Sequence, residues 1–168
     1  MTAFEICDIK QFMNKLLASP LFDNFLLTEA TIQTSVTYQI DGHLRHGFYS
    51  DEQLEALGIA DYPYVPFSLV RSNCFDLMKG KNTPLSFHFV FQLSPENQAK
   101  TLAQTTSSFL PGDISGMFLN LSFKDNKLLC TTGIAYQIFS MDKTLDYEWD
   151  RLVERFFQKN QLLITHTL

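Results

Sequence analysis

An aspartate and two histidines lie close together in segment 41–46 and form the best candidate for metal chemistry in the chain. Asp41, His43 and His46 offer a carboxylate and two imidazoles, and a more distant thiolate such as Cys74 would also suit zinc. A histidine pair on a loop supplies two ligands, whereas zinc sites usually take three or more from the protein. An ordinary solvated turn explains the same residues, so metal binding is an alternative interpretation and no cofactor is predicted.

The segment KGKNT at 79–83 resembles the end of a phosphate-binding loop. Such a loop needs a glycine five positions before its second glycine, and Ser or Thr directly after the lysine. Phe75 and Asn82 occupy those positions, so the match fails. What remains is a basic turn, in which Lys79 and Lys81 either contact an anionic partner or keep the turn soluble.

Nucleophilic catalysis finds no support in the sequence. It contains no Gly-x-Ser-x-Gly motif, and no histidine lies near Cys7, Cys74 or Cys130 along the chain. The neighbouring carboxylates of Asp51 and Glu52 fall where a helix start favours acidic residues. These observations favour a binding protein over an enzyme.

Composition bounds the class of protein. The 168 residues are 45% hydrophobic and 18% charged, which predicts one globular domain over residues 1–168. Eighteen acidic and thirteen basic residues give a net charge of −5, which argues against a generally basic nucleic-acid binder but leaves a local basic face open. The first residues show no basic region followed by an apolar stretch, so we expect no signal peptide, and no apolar run approaches the ~20 residues of a membrane helix. With no CxxC pair, we expect reduced thiols in a cytoplasmic protein without a membrane partner.

The second half of the chain shows the elements most clearly. Apolar residues alternate in segment 84–93, which predicts a strand, and Ser94 and Pro95 then start a short helix. A hairpin follows, with Asp125 and Asn126 as a two-residue turn. That turn places Phe123 opposite Leu128 and Leu121 opposite Cys130.

The first half repeats this order. A short extended stretch leads to a helix capped by Asp8, whose apolar face includes Phe12 and Leu16. A hairpin with a three-residue turn at 33–35 then places Ile32 opposite Val36 and Ala30 opposite Tyr38.

A third strand is predicted after each hairpin. In the second half it is segment 134–139; in the first half it is either 43–49 or 74–79. Apolar residues from 67 to 78 also fit helical spacing, so the first-half assignment stays open.

The remaining segments connect and close the two units. Ser50 and Gln53 resemble a capping box that opens a short helix ending at Leu57. An amphipathic helix is predicted over 143–159, and the apolar tail at 161–164 either docks as a small strand or presents itself to a partner. The predicted organisation is repeat 1 at 3–49, a connector at 50–83, repeat 2 at 84–141 and the C-terminal helix.

The duplicated β-α-β-β-β order resembles the building block of DNA sliding clamps, the processivity factors of replication. The resemblance implies an α+β fold in which two pseudo-repeated units form antiparallel sheets, with helices on one side that face DNA. The stretches TPLSFHFVFQLSPEN and GHLRHGFYSDEQ also resemble an uncharacterised bacterial family of unknown function, which implies no activity.

A clamp-like protein should carry positive charge where its helices face phosphates. Lys10 and Lys15 lie on the first such helix and Lys100 on the second, while Lys79 and Lys81 lie in the basic turn. Ordinary solvated faces would look the same. The sequence therefore predicts a non-enzymatic binding or scaffolding protein, with DNA and replication or repair proteins as candidate partners. The alternatives are the metal protein described above and a homo-oligomer with residues 162–164 at its interface.

Overall fold

Eight strands form one antiparallel sheet in the computed structural model, which describes residues 2–167. The strands are β1 (Ala3–Ile6), β2 (Phe25–Gln33), β3 (Thr37–Asp41), β4 (Val65–Pro66), β5 (Ser86–Leu93), β6 (Ile114–Lys124), β7 (Lys127–Tyr136) and β8 (Ile164–His166). Their order across the sheet is β3-β2-β5-β6-β7-β1-β8, and β4 also pairs with β2.

The α-helices lie on one side of this sheet, which confirms the predicted α+β class. They are α1 (Ile9–Leu17), α2 (Asp51–Leu57), α3 (Phe67–Met78), α4 (Pro95–Gln104) and α5 (Thr144–Lys159). The alternating pattern of β5 explains the one-sided arrangement, because Phe87, Phe89 and Phe91 all point into the core. The opposite face is largely polar and meets water, as antiparallel sheets allow. Within residues 2–167, no helix combines the length and apolar character that crossing a membrane requires.

Three predicted helix starts are confirmed. Asp8 accepts a hydrogen bond from the backbone N–H of Gln11, and Ser94 accepts one from Asn97 ahead of α4. Ser50 and Gln53 form a complete capping box at α2. Each cap satisfies a backbone donor that the first helical turn leaves free.

The predicted turn of the second hairpin is also confirmed. Asp125 and Asn126 have φ angles of 52° and 60°, which is the left-handed conformation that a tight two-residue turn requires. Phe123 pairs with Leu128 and Leu121 with Cys130, in the predicted register.

The predicted register of the first hairpin is wrong: each cross-strand partner lies two residues later than predicted. Ile32 pairs with Tyr38 and Ala30 with Ile40, so the turn lies at 34–36 instead of 33–35. Thr34 donates its backbone N–H to the carbonyl of Val36 at 2.8 Å, which closes this turn. Val36 is 53% exposed at the tip, whereas Ile40 packs against the core. The later turn is therefore favoured by apolar burial.

The predicted third strands are wrong in both halves. Residues 134–136 simply continue β7, and residues 137–139 are not strand. Residues 74–78 belong to α3, which confirms the helical alternative for that segment. In segment 43–49, His43 makes only an isolated bridge to Tyr64, and a 3₁₀ turn follows at His46–Phe48.

The duplication itself is not confirmed. Strand, helix and hairpin do occur in this order twice, but the first strand of each half pairs differently. β5 lies beside β6, the first strand of its own hairpin, whereas β1 pairs with β7 of the other half. A twofold-related pair of units would show the same pairing in both halves.

The C-terminal segment docks as a small strand, which confirms the first of the two alternatives predicted for it. The buried stripe of α5 consists of Leu145, Trp149, Val153 and Phe157. Leu162 is buried beyond the helix, and β8 then pairs with β1, with Ile164 opposite Ile6.

A polar network holds α5 to the strands beneath it. Asp150 accepts hydrogen bonds from the hydroxyl groups of Thr132, which is fully buried, and of Thr2, the latter at 2.5 Å. Thr132 also accepts the backbone N–H of Thr2 at 3.0 Å. One carboxylate thus joins β7, the residue before β1 and α5.

We expect Asp150→Ala to lower the free energy of unfolding by about 1–3 kcal/mol, because it leaves the Thr132 hydroxyl buried without its charged acceptor. The measurement is urea unfolding followed by circular dichroism. Glu55→Ala on α2 is the control, because its exposed side chain makes no hydrogen bond or ion pair with any described residue. Equal stabilities of the two variants would contradict the role given to Asp150.

The three thiols should differ sharply in reactivity. Cys7 is exposed, whereas Cys74 and Cys130 are fully buried. Burial raises the pKa of Cys74 to about 11 and also raises the pKa of Cys130, so both remain protonated and shielded near neutral pH. Titration of the native protein with Ellman's reagent at pH 8 should label Cys7 alone, and denaturant should release the other two. Rapid labelling of all three thiols in the native protein would contradict the burial of Cys74 and Cys130.

Candidate binding groove

A groove with an apolar floor lies between α1 and the loop that joins α3 to β5, at residues 79–85. Its volume is about 250 Å³. Its apolar lining is Ile9, Met13, Leu17, Ala18, Phe75, Met78, Pro84, Phe87 and Phe123, and its polar lining is Asn14, Lys79, Gly80, Asn82 and Thr83. We call this site the groove.

The sequence of α1 explains the apolar wall. Phe12 and Leu16 are fully buried in the core, and Met13 and Leu17 are the next positions around the helix. Because 3.6 residues make a turn, this second pair faces sideways and is only partly covered. The apolar stripe of α1 is therefore wider than the face that the core covers, and its uncovered part lines the groove.

The end of α3 explains the opposite wall. The helix stops at Met78, and Lys79 is already in an extended conformation. Gly80 has a φ angle of 141°, which residues with a side chain rarely adopt, so the chain turns sharply here. The loop therefore runs away from α3 before it enters β5, and the groove lies beneath it.

Three of the five lysines predicted as phosphate contacts lie on the two segments that form the walls of the groove. Lys79 lines the groove; its Nζ lies 3.1 Å from a carboxylate oxygen of Asp76 and 6.0 Å from the ring centre of Phe75. Lys81 lies in the same loop. Lys10 lies one helical turn before the lining residue Asn14, on the same side of α1.

The sequence prediction missed two further lysines at this end of the sheet. Lys124 and Lys127 flank the tight turn between β6 and β7 and pair with each other across it. Lys124 also pairs with Ser86 at the start of β5, where the groove loop enters the sheet. The sequence signal is the motif KDNK, which marks a pair of exposed cations as well as a turn.

The other two predicted lysines lie elsewhere. Lys15 is five positions after Lys10, which places it on a different side of α1. Lys100 lies on α4, which follows the far end of β5. The structure therefore does not assemble α1 and α4 into one lysine track.

Charge is distributed unevenly between the two ends of the sheet. Residues 46–70 contain no Lys or Arg, and their acidic residues are Asp51, Glu52, Glu55 and Asp61. Segment 46–70 lies near the end of β5, since its strand β4 pairs with the start of β2 and Phe25 there pairs with Leu93. The groove lies at the opposite end, where Gln33 pairs with Ser86.

Asp41 and His43, the predicted metal residues, do meet, on the open side of the sheet. Asp41 accepts the backbone N–H of His43 at 3.0 Å, and Nδ1 of the imidazole lies 2.6 Å from the same oxygen. The backbone hydrogen bond from His43 and then the side-chain hydrogen bond from the same residue lower the pKa of Asp41. Arg45 contacts the second oxygen at 3.1 Å.

This arrangement does not complete the predicted metal site. His46 belongs to the separate 3₁₀ turn, where its Nε2 is buried without a hydrogen-bond partner in the described chain. Cys74 lies buried in the core cluster. Across residues 2–167, no group of three or more His, Cys, Asp or Glu side chains has a geometry that could hold a metal ion. A polar cavity of about 440 Å³ lies nearby, and its lining includes Thr31 and Tyr64. The side chains of Glu29, Asp41 and His43 also line it.

Comparison with known proteins supports one of the two resemblances. No curated protein and no solved structure matches this chain, so the likeness to sliding clamps is unconfirmed. One family model, described as "Family of unknown function (DUF5721)", matches residues 15–164. This range runs from the last turn of α1 to the first residue of β8 and confirms the predicted family of unknown function. The chain belongs to the DUF5721 family.

Proposed function

We propose that this protein is a non-enzymatic binding protein whose groove receives a segment of another protein chain. The observation that carries the proposal is the combination of an apolar floor and a lysine-bearing rim at one end of an overall acidic molecule. Exposed apolar surface that is rimmed by polar groups marks interaction sites in soluble proteins. A cytoplasmic location forms part of the proposal, because all three cysteines are free.

The volume of the groove supports a side chain as its occupant. Pockets for drug-sized ligands and cofactors measure roughly 300–1,000 Å³. At about 250 Å³ the groove falls below that range. An apolar cavity of about 150 Å³ holds a benzene molecule, so one aromatic anchor and part of its neighbour would fill the groove.

The rim supports an acidic partner. Lys10, Lys79 and Lys81 stand beside the groove, and Asp76 offsets only part of their charge. Interfaces gain specificity and association rate when charged rims are complementary, while buried aromatic anchors carry most of the affinity. The expected partner segment therefore has an aromatic or large aliphatic side chain between acidic residues.

DNA is the second candidate partner, and the same end of the sheet favours it. Lys10, Lys79, Lys81, Lys124 and Lys127 all lie there, and phosphate contacts need no apolar floor. The two candidates differ in their dependence on Phe75, which lines the groove and is 42% exposed.

We expect a short fluorescent peptide, with one phenylalanine between aspartates, to bind the protein and to be displaced by salt. The triple variant Lys10→Glu, Lys79→Glu, Lys81→Glu should weaken binding roughly tenfold, at up to ~1 kcal/mol for each exposed charge pair. Phe75→Ser should weaken it as well, because the anchor loses an apolar contact. The measurement is fluorescence anisotropy.

The triple variant Lys15→Glu, Lys100→Glu, Lys143→Glu is the matched control, since it changes the net charge equally and leaves the groove intact. If both triple variants lose affinity equally, the groove is not the binding site. If duplex DNA binds at low salt and Phe75→Ser leaves that binding unchanged while the peptide does not bind, DNA is the partner and the proposed protein partner is wrong.

A further inference from the structure

A second exposed apolar surface lies at the end of the sheet opposite the groove. Five large exposed side chains lie in the loops at this end and in the first turn of α5, and we call them the patch: Leu110, Ile138, Phe139, Met141 and Tyr147. Phe139 is 93% exposed and Met141 is 85% exposed. Full exposure of neighbouring large apolar side chains is unusual in a monomeric soluble protein.

The patch is fixed to the fold on both sides. Segment 137–143 connects the end of β7 at Tyr136 to the start of α5 at Thr144. Gln137 donates its backbone N–H to the carbonyl of Asp113 at 2.7 Å, which holds the segment beside Leu110. Asp142 in turn accepts the backbone N–H and hydroxyl of Thr144 at 2.9 and 2.7 Å. The segment is therefore presented by anchored ends.

The surroundings of the patch are acidic, whereas those of the groove are basic. Asp113, Asp142 and Asp146 lie in or beside the segments that form the patch, and Lys143 is the one cation among them. The patch thus presents an aromatic and a methionine side chain next to carboxylates. This is the chemistry that the groove is expected to receive.

We propose that segment 138–141 of one copy of this chain docks in the groove of a second copy. The inference rests on the proposed function of the groove and names its partner. Phe139 is the anchor that enters the apolar floor, and Asp142 lies close enough in sequence to meet the lysines of the rim. Phe139 is the most exposed large apolar side chain among the described residues, at 93%.

The contact must form between molecules. β7 runs from the groove end at Lys127 to the patch end at Tyr136, so roughly 30 Å separates the two surfaces at ~3.4 Å per residue. Segment 137–143 spans at most ~25 Å when fully extended, and both its ends are anchored, so it cannot fold back to its own groove. Because the contacting surfaces differ, association is head-to-tail and builds a ring or an open chain.

Two variants separate the surfaces. The patch variant carries Phe139→Ser and Met141→Ser, and the groove variant carries Phe75→Ser, Lys79→Glu and Lys81→Glu; all these positions are exposed, so folding should be preserved. Phe48→Ser is the matched control, because Phe48 is 82% exposed but lies in the 3₁₀ turn at His46–Phe48, outside both the groove lining and the patch. The measurement is sedimentation equilibrium of each protein and of an equal mixture of the two variants.

The unaltered chain and Phe48→Ser should show a mass that rises with concentration and falls with added salt. Each surface variant alone should associate at least tenfold more weakly. Their mixture should form a dimer and nothing larger, because one intact groove meets one intact patch. A groove variant that still dimerises would reveal a patch-to-patch contact and overturn the proposal.

A chain that stays monomeric up to ~1 mM, the weakest range of specific association, would also overturn it. If the acidic peptide nevertheless binds the groove, only this inference fails and the proposed function stands. If self-association proceeds unchanged in both variants and the peptide does not bind, both fail.

Discussion

Contacts between aromatic rings hold the helices against the sheet, and the rest of the structure depends on them. Phe22, in the loop before β2, lies at the centre of this layer. Its ring centre lies 5.6 Å from that of Phe12 on α1, 5.6 Å from that of Phe91 on β5, and 5.7 Å from that of Phe156 on α5. Phe67 adds α3 through an edge contact with Phe91 at 5.0 Å. Such pairs contribute about 0.5–1.5 kcal/mol each beyond the burial of their area.

This aromatic layer also explains where apolar surface remains only partly covered. Rings between α1 and the sheet fix the rotation of the helix, with Phe12 and Leu16 inward, so Met13 and Leu17 must turn toward α3. The loop after Gly80 covers them only in part. A groove with an apolar floor is therefore a consequence of how the core is packed, and the lysines of the neighbouring turns give it a charged rim.

Local signals in the sequence predicted local structure well. Ser50 with Gln53, and Asp125 with Asn126, act within a few residues, so cap and turn geometry could be predicted without knowledge of the rest of the chain. The predicted register of the first hairpin was wrong because the register depends on burial: Val36 lies at an exposed tip, whereas Ile40 packs against the core. The pairing of strands distant in the sequence also could not be predicted, because it depends on how the whole core is buried. Phe4 pairs with Cys130, a contact that no local pattern specifies.

The candidate site shows the same division. Lys79 and Lys81 could be predicted as an exposed basic turn, and Lys10 as part of a polar helix face. Their location at the same end of the sheet as Lys124 and Lys127 depends on the order of the strands. The apolar floor of the groove could not be predicted from the sequence. The spacing of Met13 and Phe87 is that of ordinary core residues, and they line the groove only because of the path of the loop.

The most direct test of the groove as the binding site is to map where a bound peptide acts. In a ¹H–¹⁵N correlation spectrum of the labelled protein, titration with the phenylalanine–aspartate peptide should shift the resonances of α1, of the loop at 79–84 and of Phe123. The resonances of Thr31, His88 and Asn120 on the open face of the sheet should not move. Shifts confined to that open face, or spread evenly over the molecule, would contradict the account.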